Sequence, residues 1–389
     1  MTGMSMGVTA GGTAGAGGAG GTGGGRAPGG GVNLLALRSH NTALVLDLLR
    51  EAGLDGMTRI KLAERTGLTP QAVSKITARL RADGLAAEAG HRRSTGGKPR
   101  TVLRLVPDAG HAVGVHVDRD ALRAVLVDLT GAVVQETSRP VDLGAGAEAV
   151  VAAVGEAVGE VTPAGAGPGP GLVGAGVALP GPLDHTRGVL HRVTGFPEWD
   201  RYPLRAALTD RLGVPVVVDK DTNAAALRLA ARSTARSFAY LHLGTGLGAG
   251  LVIDGTVHRG ARTGAGEFGH QVLQLDGPPC TCGDRGCVEA LCLAAVARGD
   301  LPEAARVLGA GAANLVALLD IDLVLLGGRT VMAADDLFVR GVAAVLDARA
   351  RRESRGDTGV PVRIASGGER GVAEGAAELL LGPLFGRDV

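Results

Sequence analysis

Apolar residues recur at helical spacing between Ser39 and Glu51, where Ala43, Leu44, Leu46, Leu48 and Leu49 predict a helix with one buried face. A short second helix is expected over Arg59–Arg65, carrying Ile60, Leu62 and Ala63, and Gly67–Leu68 makes a tight turn after it. Thr69 is a good N-cap and Pro70 suits the first helical position. The third helix then runs to about Asp83 with Val73, Ile76 and Leu80 inward, and Gly84 ends it. Leu85–Ala87 and Val102–Leu105 read as strands around a polar loop. Beyond Pro107 the pattern changes to short β-runs: Ala112–Val117, Leu122–Asp128, Val133–Thr137, Val173–Leu179, Val214–Asp219, Phe238–Leu243, Ala249–Ile253, Leu323–Leu326 and Val360–Ala365. Helical segments alternate with the later ones. Three strands followed by helix–strand alternation, occurring twice, predict two α/β halves with a cleft between them.

Composition refines this picture. At 389 residues the chain is too long for one small core. Residues 1–31, almost all Gly, Ala and Thr from Ala10 onward, cannot bury enough apolar surface to offset ordering and are expected to be disordered. Pro107–Asp108–Ala109–Gly110 reads as a domain junction, so the expected divisions are 1–31, 32–106 and 107–389. Net charge is +1, but residues 33–106 hold thirteen Lys and Arg against six Asp and Glu, a net of +7. With Arg26 the only charge before them, the remaining chain carries −7. A basic block on an acidic body suggests a nucleic-acid reader attached to something else, the plain alternative being a solvated basic face. Neither a secretory signal nor an apolar run long enough to cross a bilayer is evident, and a cytoplasmic, non-membrane protein is the expectation.

The three N-terminal helices follow helix-turn-helix order. On the third, Gln71, Ser74, Lys75, Thr77 and Arg79 are expected to face outward, with Gln71 and Ser74 suited to base edges and Lys75 and Arg79 to phosphates or bases. The loop from His91 to Arg100 forms the basic tip of a hairpin, a wing whose Arg92, Arg93, Lys98 and Arg100 can reach phosphate or the minor groove. A three-helix interaction module with a charged hairpin is the alternative.

All four cysteines fall in one stretch. Cys280, Cys282 and Cys287 lie within a single tight loop beside Gly283 and Gly286, a layout for a metal rather than for disulfides. Three thiolates need a fourth ligand to close a tetrahedral site, and His270 just upstream is the natural candidate. Such a closed set implies structural Zn2+ with no zinc catalysis, three reduced core thiols being the alternative. Cys292 sits on an apolar helix face with Leu291, Leu293 and Ala294 and reads as core.

The helix-turn-helix, Ser94–Thr95–Gly96–Gly97–Lys98–Pro99, Gly266–Glu267–Phe268–Gly269–His270 and the Cys-x-Cys-Gly-x-x-Gly-Cys-x-Glu run ending at Glu289 together resemble the ROK family of repressors and sugar kinases. The resemblance implies an α/β chain: an N-terminal winged helix-turn-helix followed by an actin-like, RNase H-like, two-lobed sugar-kinase fold. It implies a second phosphate turn at Leu243–Gly248 and an adenosine region at Leu326–Gly327–Gly328. Where kinases of the family carry Asp-x-Gly-Gly-Thr, this chain has His116–Val117–Asp118–Arg119–Asp120. Arg and Asp fill the space that lets backbone amides approach a phosphate, so ATP binding and phosphoryl transfer are expected to be lost. On the sugar side, Asp221 matches the family's catalytic base, and Glu267, His270 and Glu289 match sugar-contacting positions, His270 also matching the zinc ligand. Two positions depart from the family: Lys220 replaces the Asn before that base, and Gly195 stands near an expected Asn. Lys220 is expected to pair with Asp221 or to favour an anionic sugar derivative. The segment between Glu289 and Leu308 also looks short for the family.

The expected function is therefore a non-enzymatic repressor sensing a sugar or sugar derivative, a homodimer or dimer of dimers on double-stranded operator DNA. A sugar kinase with an accessory DNA-binding domain, and a ligand-free regulator using the second domain only to dimerise, are the alternatives.

Overall fold

The computed structural model describes residues 40–92, 100–163, 171–193, 195–353 and 359–387. The Gly-rich segment expected to be disordered lies outside them. So do Arg93, Lys98 and the side chains of Arg92 and Arg100 in the expected wing.

The expected N-terminal helices are present as α1 (His40–Ala52), α2 (Arg59–Thr66) and α3 (Pro70–Ala82), with the short strand β1 (Met57–Thr58) between the first two. Local chemistry fixes their ends. The Thr58 hydroxyl accepts from Lys61 N at 3.4 Å and starts α2, and Gly67 at φ 70° stops it. The Thr69 hydroxyl accepts from Ala72 N at 3.2 Å, and Pro70 occupies the first turn of α3. Gln71, Ser74, Lys75 and Arg79 are exposed, as expected. Thr77 is not: it is fully buried, because it lies four residues after Val73 on the inward face. Its hydroxyl is satisfied there, donating to Val73 O at 2.8 Å and accepting from Arg59 Nε at 3.3 Å. β2 (Ala86–Arg92) and β3 (Arg100–Leu105) pair antiparallel from Ala86 opposite Leu105 out to Arg92 opposite Arg100, and β1 joins β3 on its other side.

The rest of the chain forms two lobes. The first runs β4 (His111–Val117), β5 (Ala121–Asp128), β6 (Val133–Pro140), α4 (Ala147–Val161), β7 (Leu172–Leu179), the hairpin β8 (Leu183–Asp184) and β9 (Val189–Leu190), α5 (Leu204–Leu212) and β10 (Val216–Lys220). α6 (Asp221–Ala230) leads into the second: β11 (Phe238–Leu243), β12 (Leu247–Ile253), β13 (Thr256–Val257), α7 (Val288–Ala297), α8 (Leu301–Leu319), β14 (Leu323–Gly327), α9 (Arg329–Met332), α10 (Asp335–Arg352) and β15 (Val362–Ile364). The five-stranded sheets are ordered β6-β5-β4-β7-β10 and β13-β12-β11-β14-β15. Each puts its first strand in the centre, an antiparallel hairpin on one side and two parallel strands on the other. The plan expected twice from the sequence is thus built twice.

The last helix, α11 (Gly371–Leu381), returns to the first sheet and to α6. It lies so close to the sheet that glycine is required beneath it. A Cβ at Gly114 would sit 1.9 Å from Ala373 O, and one at Gly176 would sit 1.8 Å from Ala376 O. From α11 a 3-10 turn, Gly382–Phe385, reaches α1. One apolar cluster therefore runs from Leu46, Leu49 and Leu103 of the winged-helix segment into Val125, Leu380 and Phe385 without a break at residue 106. Ion pairs fasten the same seam. Arg50 grips Glu378 through two bonds of 2.8 and 2.9 Å and stacks 4.5 Å above Phe385, and Arg387 meets Asp47 at 2.8 Å. No described helix is long and apolar enough to cross a membrane.

Candidate functional site

His270 lies in a 3-10 turn, Phe268–His270, and Cys280, Cys282 and Cys287 lie on the loop that ends at α7. One donor atom from each of the four falls within 4.8 Å of all the others. His270 Nδ1 is 3.6 Å from Cys280 Sγ, and Cys282 Sγ is 3.8 Å from Cys287 Sγ. The loop folds back through Cys280 N to Asp284 O at 2.8 Å and Gly286 N to Pro278 O at 2.8 Å. Gly286 has φ 63°, and a Cβ there would stand 1.7 Å from Gln274 O, so the turn admits no side chain. Burial pushes the Cys287 thiol up to about 12, helped by the two neighbouring thiols, so an unmetallated cluster holds it protonated. Three sulfurs and one imidazole converging this closely form a set that can hold a metal ion. Cys292 is buried on α7 outside this group, with its thiol facing Ala304 O at 3.6 Å, as expected of a core cysteine.

The same loop sets the cleft. Glu289, in the first turn of α7 two residues after Cys287, is buried and accepts from Leu247 N at 2.7 Å. Glu267 immediately precedes the turn that carries His270. Asp221 begins α6 and accepts from Thr222 N at 2.6 Å. Asp221, Lys220, Glu267, His270 and Glu289 all line one cleft between the lobes, so the structure brings the five expected ligand-side residues together. Lys220 corrects the expectation about its partner. Its buried ammonium donates to Glu267 Oε1 at 2.8 Å and to Ala265 O at 2.6 Å, not to Asp221. The chain leaves β10 with the Lys220 side chain directed across the cleft, while Asp221 has already turned into α6.

A profile of the ROK family matches residues 112–298. A ROK hexokinase from Thermus thermophilus is 30% identical in sequence, and the match covers 69% of this chain and 96% of that one with a TM-score of 0.55. The chain belongs to the ROK family. A xylose repressor of Caldicellulosiruptor bescii is 27% identical over 260 residues, spanning 66% of this chain and 64% of that repressor. The fold is also that of a ROK family transcriptional regulator, a homologue of the E. coli MLC protein, with a TM-score of 0.71 and 21% identity over 89% of this chain and 97% of that one.

The turn between β4 and β5, where the sequence resemblance places the first phosphate site, is closed by its own side chains. Asp118 Oδ1 accepts the Thr245 hydroxyl at 2.8 Å, which ties the first turn to the second. Arg329, the first residue of α9, donates to Asp120 Oδ2 at 2.9 Å and to Asp118 Oδ2 at 3.2 Å. Burial alone would raise the Asp118 carboxyl, but the Arg119 backbone N–H, His116 and Thr245 hold it below its ordinary value. Two carboxylates, Asp118 and Asp120, thus occupy the turn and both engage Arg329.

Sequence reasoning singled out neither Arg329 nor the buried pair beneath the cleft floor. Arg259 meets Asp219 at 2.7 and 2.8 Å, and Asn223 donates to the same carboxylate at 2.9 Å. The signal for Arg329 was its place directly after Gly327–Gly328; for Arg259 there was none, since its partner lies 40 residues away.

Proposed function

We propose that this ROK protein is a sugar-responsive transcriptional repressor that reads double-stranded operator DNA with its winged helix and does not phosphorylate its ligand. The observation that carries this reading is the uninterrupted core between the winged-helix segment and the lobe that supplies Lys220 and the start of α6. A DNA reader tethered by a loose linker would receive nothing from the cleft; one sharing a core must move with it. The kinship with a xylose repressor supports a sugar or sugar derivative as the ligand. Asp221, Glu267 and Glu289 would accept from its hydroxyls, His270 would donate to it from the ring nitrogen left free of the metal, and Lys220 would hold Glu267 in place. Two-fold operators are read by paired winged helices, so a homodimer or dimer of dimers is the working assembly. The Cys280–Cys282–Cys287–His270 cluster is assigned to Zn2+, a soft-ligand, four-coordinate structural ion that supplies cross-linking and no chemistry to a reaction.

Two expected results follow for the DNA and nucleotide sides. Replacing Arg92 and Arg93 together with Ala should weaken binding to every DNA sequence and reduce the salt slope by up to about two, while Gln71→Ala should relax preference at one base pair. Fluorescence anisotropy across a salt series reads both, and unchanged affinity and slope in the double variant removes the wing from the interface. A coupled assay with Mg·ATP and a panel of pentoses and hexoses should show no turnover above background. Sustained turnover of any sugar contradicts the kinase-dead reading and favours a kinase with an accessory DNA-binding domain. The experiment that tests the whole proposal is operator affinity measured with and without each sugar of that panel.

A further inference from the structure

Arg119 lines the same cleft from the first lobe, in the turn between β4 and β5. Its backbone is fixed, with Arg119 N donating to Asp118 Oδ1 at 2.7 Å and Arg119 O accepting from Leu143 N at 3.0 Å. Its half-buried guanidinium lies 5.9 Å from the centre of the Phe196 ring. Lys220, the other basic side chain of the cleft, is bonded to Glu267. The Arg119 guanidinium has neither an ion pair nor a hydrogen bond among the described residues.

What faces Arg119 comes from the second lobe. Gly246 lies in the turn between β11 and β12, and Glu289 stands beside it on α7. A Cβ on Gly246 would be 3.0 Å from Glu289 Oε2 and 3.1 Å from Arg119 Nη2. The two charged heads therefore flank one glycine without forming an ion pair, and the missing side chain leaves the space between them open. Glu289 is held in place: it is buried, and its Oε2 accepts from Leu247 N at 2.7 Å while keeping a second lone pair. A strong donor and a strong acceptor thus border one small gap. A hydroxyl answers both, accepting from the guanidinium and giving its proton to the carboxylate. A phosphate dianion has no proton to give Glu289. It would also meet the carboxylates of Asp221 and Glu289, neither of which has a cation within ion-pair distance among the described residues.

Resting on the sugar-responsive reading above, we infer that Arg119 is a ligand-contacting residue that acts with Glu289 to hold one hydroxyl of an uncharged sugar over Gly246. Because Arg119 belongs to the first lobe and Glu289 to the second, that hydroxyl fastens the two lobes to one another.

Calorimetric titration of the full chain tests this with D-xylose, D-glucose and the other pentoses and hexoses of the panel, and with D-xylonate and glucose 6-phosphate as charged counter-probes. The tightest neutral sugar should bind the wild type better than either charged probe. Arg119→Met should weaken that sugar at least about tenfold, the worth of one charge-assisted hydrogen bond, while the melting temperature without sugar stays close to that of the wild type. Gly246→Ala, which fills the gap, should weaken it at least as far. One monodeoxy analogue of the sugar should bind the wild type about tenfold below its parent, and that penalty should shrink in Arg119→Met, a coupling that a merely structural arginine would not produce. Unchanged sugar affinity in Arg119→Met, or the same deoxy penalty in both proteins, overturns the assignment of Arg119 and leaves the sugar-responsive reading standing. Tighter binding of a charged probe that disappears in Arg119→Met gives Arg119 to an anion and overturns the assignment too. A wild type that binds no sugar of the panel overturns it together with the reading on which it rests.

Discussion

Cys282→Ser should cost the protein several kcal/mol of folding stability and its bound metal together. Ligands at such a site bind the ion only when the loop is folded, so the apparent binding free energy, on the order of 10 kcal/mol for structural zinc, is also folding energy. Cys282 is one of four donors within 4.8 Å of one another, and serine is a poor replacement for a thiolate on a soft ion. The loss should reach the cleft, because Glu289 follows the loop directly and His270 belongs to both cluster and cleft. Elemental analysis of the wild type should return one zinc per chain, and a strong chelator should lower the melting temperature sharply. A metal-free protein that stays folded in chelator would refute the zinc assignment.

Arg50→Ala is expected to be nearly as damaging, at about 3–5 kcal/mol, because it leaves the Glu378 carboxylate buried with only one longer contact to a second cation. Arg387 stands 3.5 Å from Glu378 and cannot replace a two-bonded guanidinium. Arg50 also donates to Thr130 O at 3.2 Å, so the variant loosens α1 from the first lobe as well as from α11. Chemical denaturation measures the cost. Replacing Arg50 with Met and Glu378 with Leu together should restore most of the stability, since the cluster along the seam is apolar and Arg387 keeps its bond to Asp47. If Arg50→Ala melts like the wild type, the seam between the winged helix and the lobe is not held as described.

Both predictions depend on features of unequal visibility in the sequence. The Cys280–Cys282–Cys287 loop was legible as a metal-capable cluster because its cysteines sit within a few residues of one another and glycines mark the turns. The helix-turn-helix was legible from Thr69–Pro70 and the apolar spacing, although Thr77 was placed on the wrong face: a hydroxyl side chain reads as polar until its own i−4 carbonyl is seen to satisfy it. Nine of the ten strands in the two sheets followed from the β-runs, most of them because buried strands leave long apolar signatures, while the two-residue β13 did not. What escaped were pairings over long separations. Lys220 and Glu267 are 47 residues apart, Arg329 and Asp120 are 209, and Arg50 and Glu378 are 328. Charge type alone does not choose among many possible partners at such distances, and the partners decide whether Lys220 attracts an anion or merely holds a carboxylate.

The central claim is that a sugar in the cleft and the DNA on the winged helix act on one another through a shared body. Linkage requires the sugar to change operator affinity by the factor with which operator changes sugar affinity. The direct measurement is operator affinity with and without sugar, for the wild type and for Glu267→Ala, using a DNA fragment selected by the protein itself. The account predicts a change of at least about fivefold for one sugar of the panel in the wild type, and none in Glu267→Ala, whose operator affinity without sugar is unaltered. A wild type indifferent to every sugar, or a variant that responds as the wild type does, would contradict it.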